Sequence, residues 1–305
     1  MKKNLFYLAA LLIGAVSLTA CSSSDDDGSG KSGSLSKPVN ADNARRIVLT
    51  DNASGLREVD FGSGSDAVLT LTGPLTAPAA FPAAPAAPSV LDYLIAKYAK
   101  AGNTYTIEGF GTVTIVSENG NSLVVEVKRD GGTAEQVEAT QQAVAVTDSK
   151  AIDFCRSWEV VTTAFTYTEY DAAGNSKRPV GGNFKGCNLT EIGQWLKNTH
   201  GVDIMAELAA KEAVERVVVT TGGTYALKFK NTESVGTWRW TDATAGKLRY
   251  TWNDPAGMSN NFEAGTATFT TEKGYGVLQM AGSLQETAGG TRYTVELTFR
   301  LQQAS

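Results

Sequence analysis

The strongest constraint on the fold of this chain is the alternation of apolar and charged side chains in its last third. Between residues 293 and 301 every second residue is apolar, and Glu296 and Arg300 lie between them. Residues 225–230 and 247–252 alternate in the same way. A period of two predicts strands with one buried and one solvent-exposed face. Because Gly, Asn and Asp turns join these strands, we expect an antiparallel meander that closes into a barrel.

Residues 41–150 show shorter strand patterns and one helical pattern. Ser89 is a candidate cap for a helix through Lys100, and the apolar residues that follow it have helical spacing. The Pro- and Ala-rich residues 74–88 predict an extended loop. Residues 140–146 fit a strand or a linker. Strands are predicted over residues 47–50, 56–61, 67–71, 105–107, 112–117 and 123–128, with a hairpin turn at 118–121. We therefore expect a small β-rich (α+β) domain with one helix.

Residues 151–305 are mainly β, with a helical insertion at about residues 179–213. Asn188 and Glu191 form a capping-box pattern in front of the stripe Leu189, Ile192 and Leu196. A second helix is predicted from Asp203. The insertion departs from a simple barrel and could cover an open end.

The N-terminus carries an export signal. Lys2 and Lys3 precede an apolar run, and small residues follow it, which is the pattern of a secretion signal over residues 1–20. The apolar run is shorter than the ~20 residues that a spanning helix needs. Residues 21–40 are rich in Ser, Gly and Asp, and this composition predicts a disordered acidic tether.

Residues 18–21, Leu-Thr-Ala-Cys, resemble a bacterial lipobox. The resemblance implies that Cys21 carries a thioether-linked lipid and becomes the acylated first residue, so that the membrane is a partner through this lipid. Two or three acyl chains together anchor a protein stably. The acidic run that follows resembles the export signal of Bacteroidetes surface lipoproteins, and it consists of Ser22, Ser23, Ser24, Asp25, Asp26 and Asp27. This implies the outer membrane, facing the cell surface, with the periplasmic face as the alternative.

The second half of the chain resembles the lipocalin-like domains of Bacteroidetes lipoproteins. The resemblance is carried by residues 222–227 (Gly-Gly-Thr-Tyr-Ala-Leu), 236–240 (Gly-Thr-Trp-Arg-Trp) and 246–250 (Gly-Lys-Leu-Arg-Tyr). Ser157 and Trp158 correspond to the opening Gly-x-Trp of lipocalins, with Arg156 where Gly is usual. The resemblance implies a lipocalin-like barrel over residues 151–305.

Charge and cysteine content limit the partners and the redox state. The protein has 27 basic and 32 acidic residues, a net charge of −5, which disfavours nucleic acid as a partner. If lipid occupies Cys21, then Cys155 and Cys187 remain. In an oxidising envelope they could form a disulfide that contributes about 3–4 kcal/mol. The alternative is a pair of buried thiols.

The sequence contains no recognisable catalytic set. His200 is the sole histidine, so that zinc sites and Ser-His triads are excluded, and no metal or cofactor is predicted. We do not expect an enzyme. An unrecognised hydrolase stays as an alternative, because its two carboxylates can come from distant strands.

Aromatic side chains are the remaining candidates for binding. They would line a pocket for a small apolar or glycan ligand, and the set comprises Trp158, Tyr225, Trp238, Trp240, Tyr250 and Trp252. The alternative is that these rings fill the barrel and that the protein has a structural or adhesion role. No protein partner is predicted.

Overall fold

The computed structural model describes residues 44–72, 91–142, 153–201, 213–230, 233–253, 263–272, 275–288 and 291–304. These residues form two closed antiparallel barrels of eight strands each. The described part also contains an α-helix, α1 (Leu189–His200). The mainly β prediction is therefore confirmed. The predictions for residues 1–40, for the loop 74–88 and for the helix from Asp203 lie outside the described residues.

The eight strands of the first barrel pair in the order of the sequence, and the barrel is closed by pairing of the first with the last. Alternate side chains fill its interior, where the ring of Phe61 stacks on Tyr105 with centroids 4.0 Å apart. Its strands are β1 (Arg46–Leu49), β2 (Leu56–Asp60), β3 (Asp66–Thr72), β4 (Leu91–Ala101), β5 (Thr104–Ile107), β6 (Gly111–Asn119), β7 (Ser122–Arg129) and β8 (Glu135–Gln141).

The helix predicted from Ser89 to Lys100 is wrong, because residues 91–101 form strand β4. Leu94, Ala96 and Tyr98 pack towards the interior of the first barrel. Tyr93 and Ile95, on the opposite face, are buried against the second barrel. Burial of both faces removes the alternation that marks a strand, and the apolar spacing that remains resembles that of a helix.

The second barrel consists of β9 and β11–β17, and it closes through the long pairing of β17 with β9. The other edge of β9 pairs with β11 at Ser157 and Trp158 and then with β10. The predicted insertion thus contains a strand as well as a helix. The strands are β9 (Ser157–Tyr170), β10 (Val180–Lys185), β11 (Val214–Val219), β12 (Thr224–Phe229), β13 (Glu233–Asp242), β14 (Lys247–Asn253), β15 (Glu263–Glu272), β16 (Tyr275–Ala288) and β17 (Thr291–Gln303).

Helix α1 begins at the cap that the sequence predicts. The Asn188 side chain accepts a hydrogen bond from the Glu191 N–H at 3.1 Å, which is an N-cap. Gly201 ends the helix with φ +70°. Ile192 and Leu196 are buried in the same cluster as the core residues of the second barrel. The helix therefore packs into the barrel core.

The outer faces of the two barrels pack on each other through a small apolar cluster. Its members come from β3 and β4 on one side and from β11, β12 and β13 on the other, and they are Val68, Tyr93, Ile95, Val218, Ala226 and Val235. Removing these side chains from water favours association of the two barrels.

Polar contacts at both ends of the β2–β3 loop, residues 60–66, fix the arrangement of the barrels. Asp60 is 1% exposed and accepts hydrogen bonds from the hydroxyls of Thr220 (2.7 Å) and Thr224 (2.6 Å). Asp66, also 1% exposed, accepts from Ser157 and, at 2.7 Å, from the Arg216 guanidinium. Two carboxyls of the first barrel are thus held by side chains of the second.

Candidate functional site

Three of the predicted ligand-lining aromatics are part of the packed core. Trp158 and Tyr225 are fully buried, and Trp238 is 3% exposed. The indole N–H of Trp158 donates to the Phe154 carbonyl at 3.0 Å, and that of Trp238 donates to the Thr220 carbonyl at 3.1 Å. These bonds satisfy both indoles inside the protein, so that these rings stabilise the barrel itself.

Trp240 is two residues further along β13 and is half-buried at one end of the barrel. Its ring is perpendicular to that of Trp238 at 5.4 Å and lies 5.1 Å from Phe154. Its indole N–H is buried and has no hydrogen-bond partner among the described residues. The structure therefore brings Trp238 and Trp240 together but gives them different surroundings.

Tyr250 and Trp252 lie in β14, where their Cα atoms are opposite Trp238 and Gly236. The pairing puts both residues on the strand next to the two tryptophans of β13. For these two residues the structure describes the backbone and not the side chains.

Trp240 borders a cleft of about 430 Å³ at this end of the second barrel, which we call the open-end cleft. It is lined by the apolar residues Phe154, Ala267 and Leu278 and by the polar residues Asp153, Thr244 and Thr268. An apolar surface with a few polar groups is typical of sites for small molecules.

A tight turn between β13 and β14 shapes one side of the open-end cleft. Gly246 has φ +64°, and its carbonyl accepts a hydrogen bond from the Ala267 N–H at 2.8 Å. A Cβ at this position would lie 2.3 Å from the Ala267 carbonyl oxygen. Only glycine allows the turn to approach β15 this closely.

Cys155 and Cys187 are both free and both buried. Of the two alternatives from the sequence, the structure contains the pair of buried thiols rather than the disulfide. Burial raises the pKa of Cys187 to about 12 and holds the pKa of Cys155 well above its usual value. Since the thiolate is the reactive form, neither cysteine is suited to nucleophilic chemistry.

His200 lies at the C-terminal end of α1, with its ring 5.1 Å from that of Trp195. It borders a cleft of about 170 Å³ together with Glu169 and Lys177. A hydrogen bond from Lys177 lowers the pKa of Glu169, which keeps that carboxyl ionised rather than available as an acid. Within the described ranges, no group of three or more His, Cys, Asp or Glu side chains could hold a metal ion.

Another cleft, of about 370 Å³, lies between the two barrels, and sequence reasoning missed it. β4 and Glu108 line it from the first barrel, and Glu215, Arg216 and Lys228 line it from the second. We call it the inter-barrel cleft. Its two walls are more than a hundred residues apart in the sequence, so that no local pattern could have revealed it.

Comparison with protein-family models, with curated proteins and with solved structures finds no match to this protein. In the part of the chain that the structure describes, no helix has the length and apolar character needed to cross a membrane. The open-end cleft and the inter-barrel cleft, of about 430 and 370 Å³, are larger than the cleft beside His200, of about 170 Å³.

Proposed function

We propose that this protein is a lipid-anchored lipoprotein of the cell envelope, exposed at the outer-membrane surface, and that its second barrel is a lipocalin-like domain binding a small apolar or glycan ligand. The proposed binding site is the open-end cleft. The observation that carries the proposal is the half-buried Trp240 beside a cleft of about 430 Å³. An indole face can stack on a sugar ring or pack on an apolar chain.

Trp240 is the residue whose loss should weaken binding most. Aromatic stacking contributes about 0.5–1.5 kcal/mol beyond the area that it buries. With that area included, Trp240→Ala should reduce affinity about tenfold or more. Trp195→Ala is the matched control, because Trp195 is also partly buried but packs on Phe165 and Phe184 away from the open-end cleft.

The experiment is to purify the protein from its envelope under mild conditions and to identify bound molecules by mass spectrometry. We expect one class of lipid or glycan to be enriched with the wild type and with Trp195→Ala, and to be lost with Trp240→Ala. The proposal fails if nothing is enriched over a mock purification, or if Trp240→Ala retains the same molecule.

The anchoring part of the proposal rests on Cys21 and needs its own test. Cys21→Ala should abolish labelling with radioactive palmitate and release the protein from the membrane fraction. Replacing Asp25, Asp26 and Asp27 by Ala should reduce digestion by external protease in intact cells if the acidic run directs export. Continued labelling of the Cys21 variant would contradict the anchor. Unchanged digestion of the Asp25, Asp26 and Asp27 variant would contradict the role of the acidic run in export.

A structural or adhesion role is the second candidate, and the filled interior of the second barrel favours it. Trp158, Tyr225 and Trp238 occupy the core with at most 3% exposure. A barrel whose interior is packed to this degree serves as a rigid scaffold. If mass spectrometry finds no bound molecule, this role replaces ligand binding.

A further inference from the structure

We infer that the inter-barrel cleft binds an extended peptide carrying a carboxylate, which adds as a strand to the free edge of β4. This site is separate from the open-end cleft and does not depend on the function proposed for it. Strand addition to an exposed sheet edge is a recurring way of recognising extended peptides.

Within the part of the chain that the structure describes, no strand pairs with the first half of the β4 edge that faces away from β3. β3 pairs with β4 from Leu91 to Lys97, whereas β5 pairs with β4 only from Tyr98 onwards. The Glu108 N–H donates to the Lys97 carbonyl at 2.9 Å and closes the edge there. Among the described residues, no strand pairs with the remaining part of this edge.

Ile95 presents its backbone groups to the cleft. Its carbonyl oxygen lies 3.4 Å from the Lys228 ammonium of the second barrel, so that this carbonyl points away from β3. In an antiparallel strand the N–H and the C=O of one residue point to the same side. Ile95 therefore offers a donor and an acceptor to an added strand.

Lys228 supplies the preference for a carboxylate. Its side chain is half-buried, and its ammonium donates a long hydrogen bond to the neutral Ile95 carbonyl. Glu233, opposite Lys228 in the β12–β13 pair, attracts this ammonium, but no carboxylate of the described residues lies within ion-pair distance of it. A half-buried cation gains from an anionic partner more than an exposed one does, because water screens it less.

Of the other charged groups at the cleft, Lys97 is exposed, so that water screens its charge more than that of Lys228. The Arg216 guanidinium is bound at 2.7 Å to the buried carboxyl of Asp66, so that it is already neutralised. Glu108 and Glu215 are exposed at the rim and repel further acidic groups. The surroundings thus favour a peptide with a single carboxylate near Lys228.

The cleft has the dimensions of a short strand. Leu94, Ile95, Ala96 and Lys97 line it consecutively, and a strand rises about 3.3 Å per residue. The free edge therefore accommodates roughly three residues of an extended peptide. The carboxylate could come from the C-terminus of a polypeptide or from an acidic side group, and the two sources can be tested separately.

The test is an NMR titration of the full-length ¹⁵N-labelled protein with N-acetylated tripeptides up to about 10 mM, which detects Kd values in the millimolar range. The probes are Val-Ala-Val with a free C-terminus, Val-Glu-Val amide and the neutral Val-Ala-Val amide. Two further analogues are made of whichever carboxylate peptide binds, one N-methylated at its central residue and one at its last residue. Binding is followed through the Ile95 amide signal.

We expect at least one carboxylate peptide to shift the Ile95 amide, and the one that binds identifies the source of the carboxylate. The neutral amide should bind at least tenfold more weakly. At least one N-methylated analogue should lose binding, because it lacks the N–H that would donate to the Ile95 carbonyl. Lys228→Gln should weaken binding about tenfold, whereas Lys185→Gln, an exposed lysine of β10, should not.

Three results would overturn the inference. The first is that neither carboxylate peptide shifts the Ile95 amide at the highest concentration. The second is that both N-methylated analogues bind as well as their parent, which would leave charge attraction without strand addition. The third is that Lys228→Gln, with an otherwise unchanged spectrum, binds like the wild type.

Discussion

Replacing Asp60 by alanine tests whether the polar contacts of the β2–β3 loop hold the two barrels together. The carboxyl accepts hydrogen bonds from the Gly62 N–H at 2.8 Å and from the Thr220 and Thr224 hydroxyls. In Asp60→Ala the Thr220 hydroxyl can still donate to the Thr224 carbonyl, 3.3 Å away. The Gly62 N–H and the Thr224 hydroxyl, both buried, are left without the acceptor that Asp60 provides.

Each buried donor without an acceptor costs about 1–3 kcal/mol. Removing the fully buried carboxyl offsets part of this loss of stability, because burial of that group is itself unfavourable. We therefore expect Asp60→Ala to lower the free energy of unfolding by about 3 kcal/mol. Asp130→Ala, in the exposed turn after β7, should change it by less than about 0.5 kcal/mol.

The assay is urea denaturation followed by tryptophan fluorescence, since all five tryptophans lie in the second half of the sequence. Limited proteolysis in the native state shows whether the barrels have separated. We expect Asp60→Ala to be cut at lower protease concentration than Asp130→Ala. The reasoning is refuted if the two variants have the same stability and the same digestion pattern.

The same carboxyl makes stability depend on pH in a direction opposite to that of most acidic groups. Burial raises the pKa of Asp60, although its hydrogen bonds and Arg46 oppose the shift. At pH values between the pKa of the unfolded state and that of the folded state, the native state binds more protons than the unfolded state. The free energy of unfolding therefore falls as pH rises through this range. Relative to Asp60→Asn, the wild type should therefore gain stability as pH is lowered from neutral towards 4. Parallel pH profiles of the two proteins would contradict this.

Three further predictions concern other parts of the second barrel. Cys155 and Cys187 should not react with a thiol reagent at pH 8 in the native protein and should both react in urea, and rapid native labelling would show that one is accessible. Asn188→Ala should cost about 1 kcal/mol by removing the cap of α1, with the exposed Asn198→Ala as the control in the same denaturation assay. Gly246→Ala should destabilise the β13–β14 turn, because φ is positive there and the added Cβ would meet the Ala267 carbonyl; a thermal midpoint equal to that of the wild type would refute this.

The sequence predicted strands where large apolar residues alternate with charged ones, and β17 shows why. Its apolar and charged residues alternate because only one side of the strand faces the core, and the pattern therefore reports the fold directly. Strand β8 was missed because only Val137 and Ala139 face the interior. Its other residues are Glu, Gln and Thr, so that its apolar signal was too weak to recognise.

The candidate site was predictable only where it depends on local spacing. Trp238 and Trp240 are two residues apart on one strand, which places both on the same face, and the structure shows their rings in contact. Which ring is buried and which borders a cleft depends on where the barrel ends along β13, and the spacing of the two residues does not give that position. The contact of Asp60 with Thr220 joins residues 160 positions apart, and no pattern in a single sequence contains that information.

The position of Arg46 has a mechanical consequence. It lies at the start of β1, donates to the Gly222 carbonyl of the second barrel at 3.0 Å and to Glu58 of the first at 2.8 Å. The first strand of the fold is thus linked to both barrels at its outset. Tension transmitted along the residues that precede β1 would be shared by two barrels from the first contact, instead of peeling one strand from one sheet. A single-molecule pulling experiment from the N-terminus should therefore show one high-force event, and Arg46→Ala should split it into two.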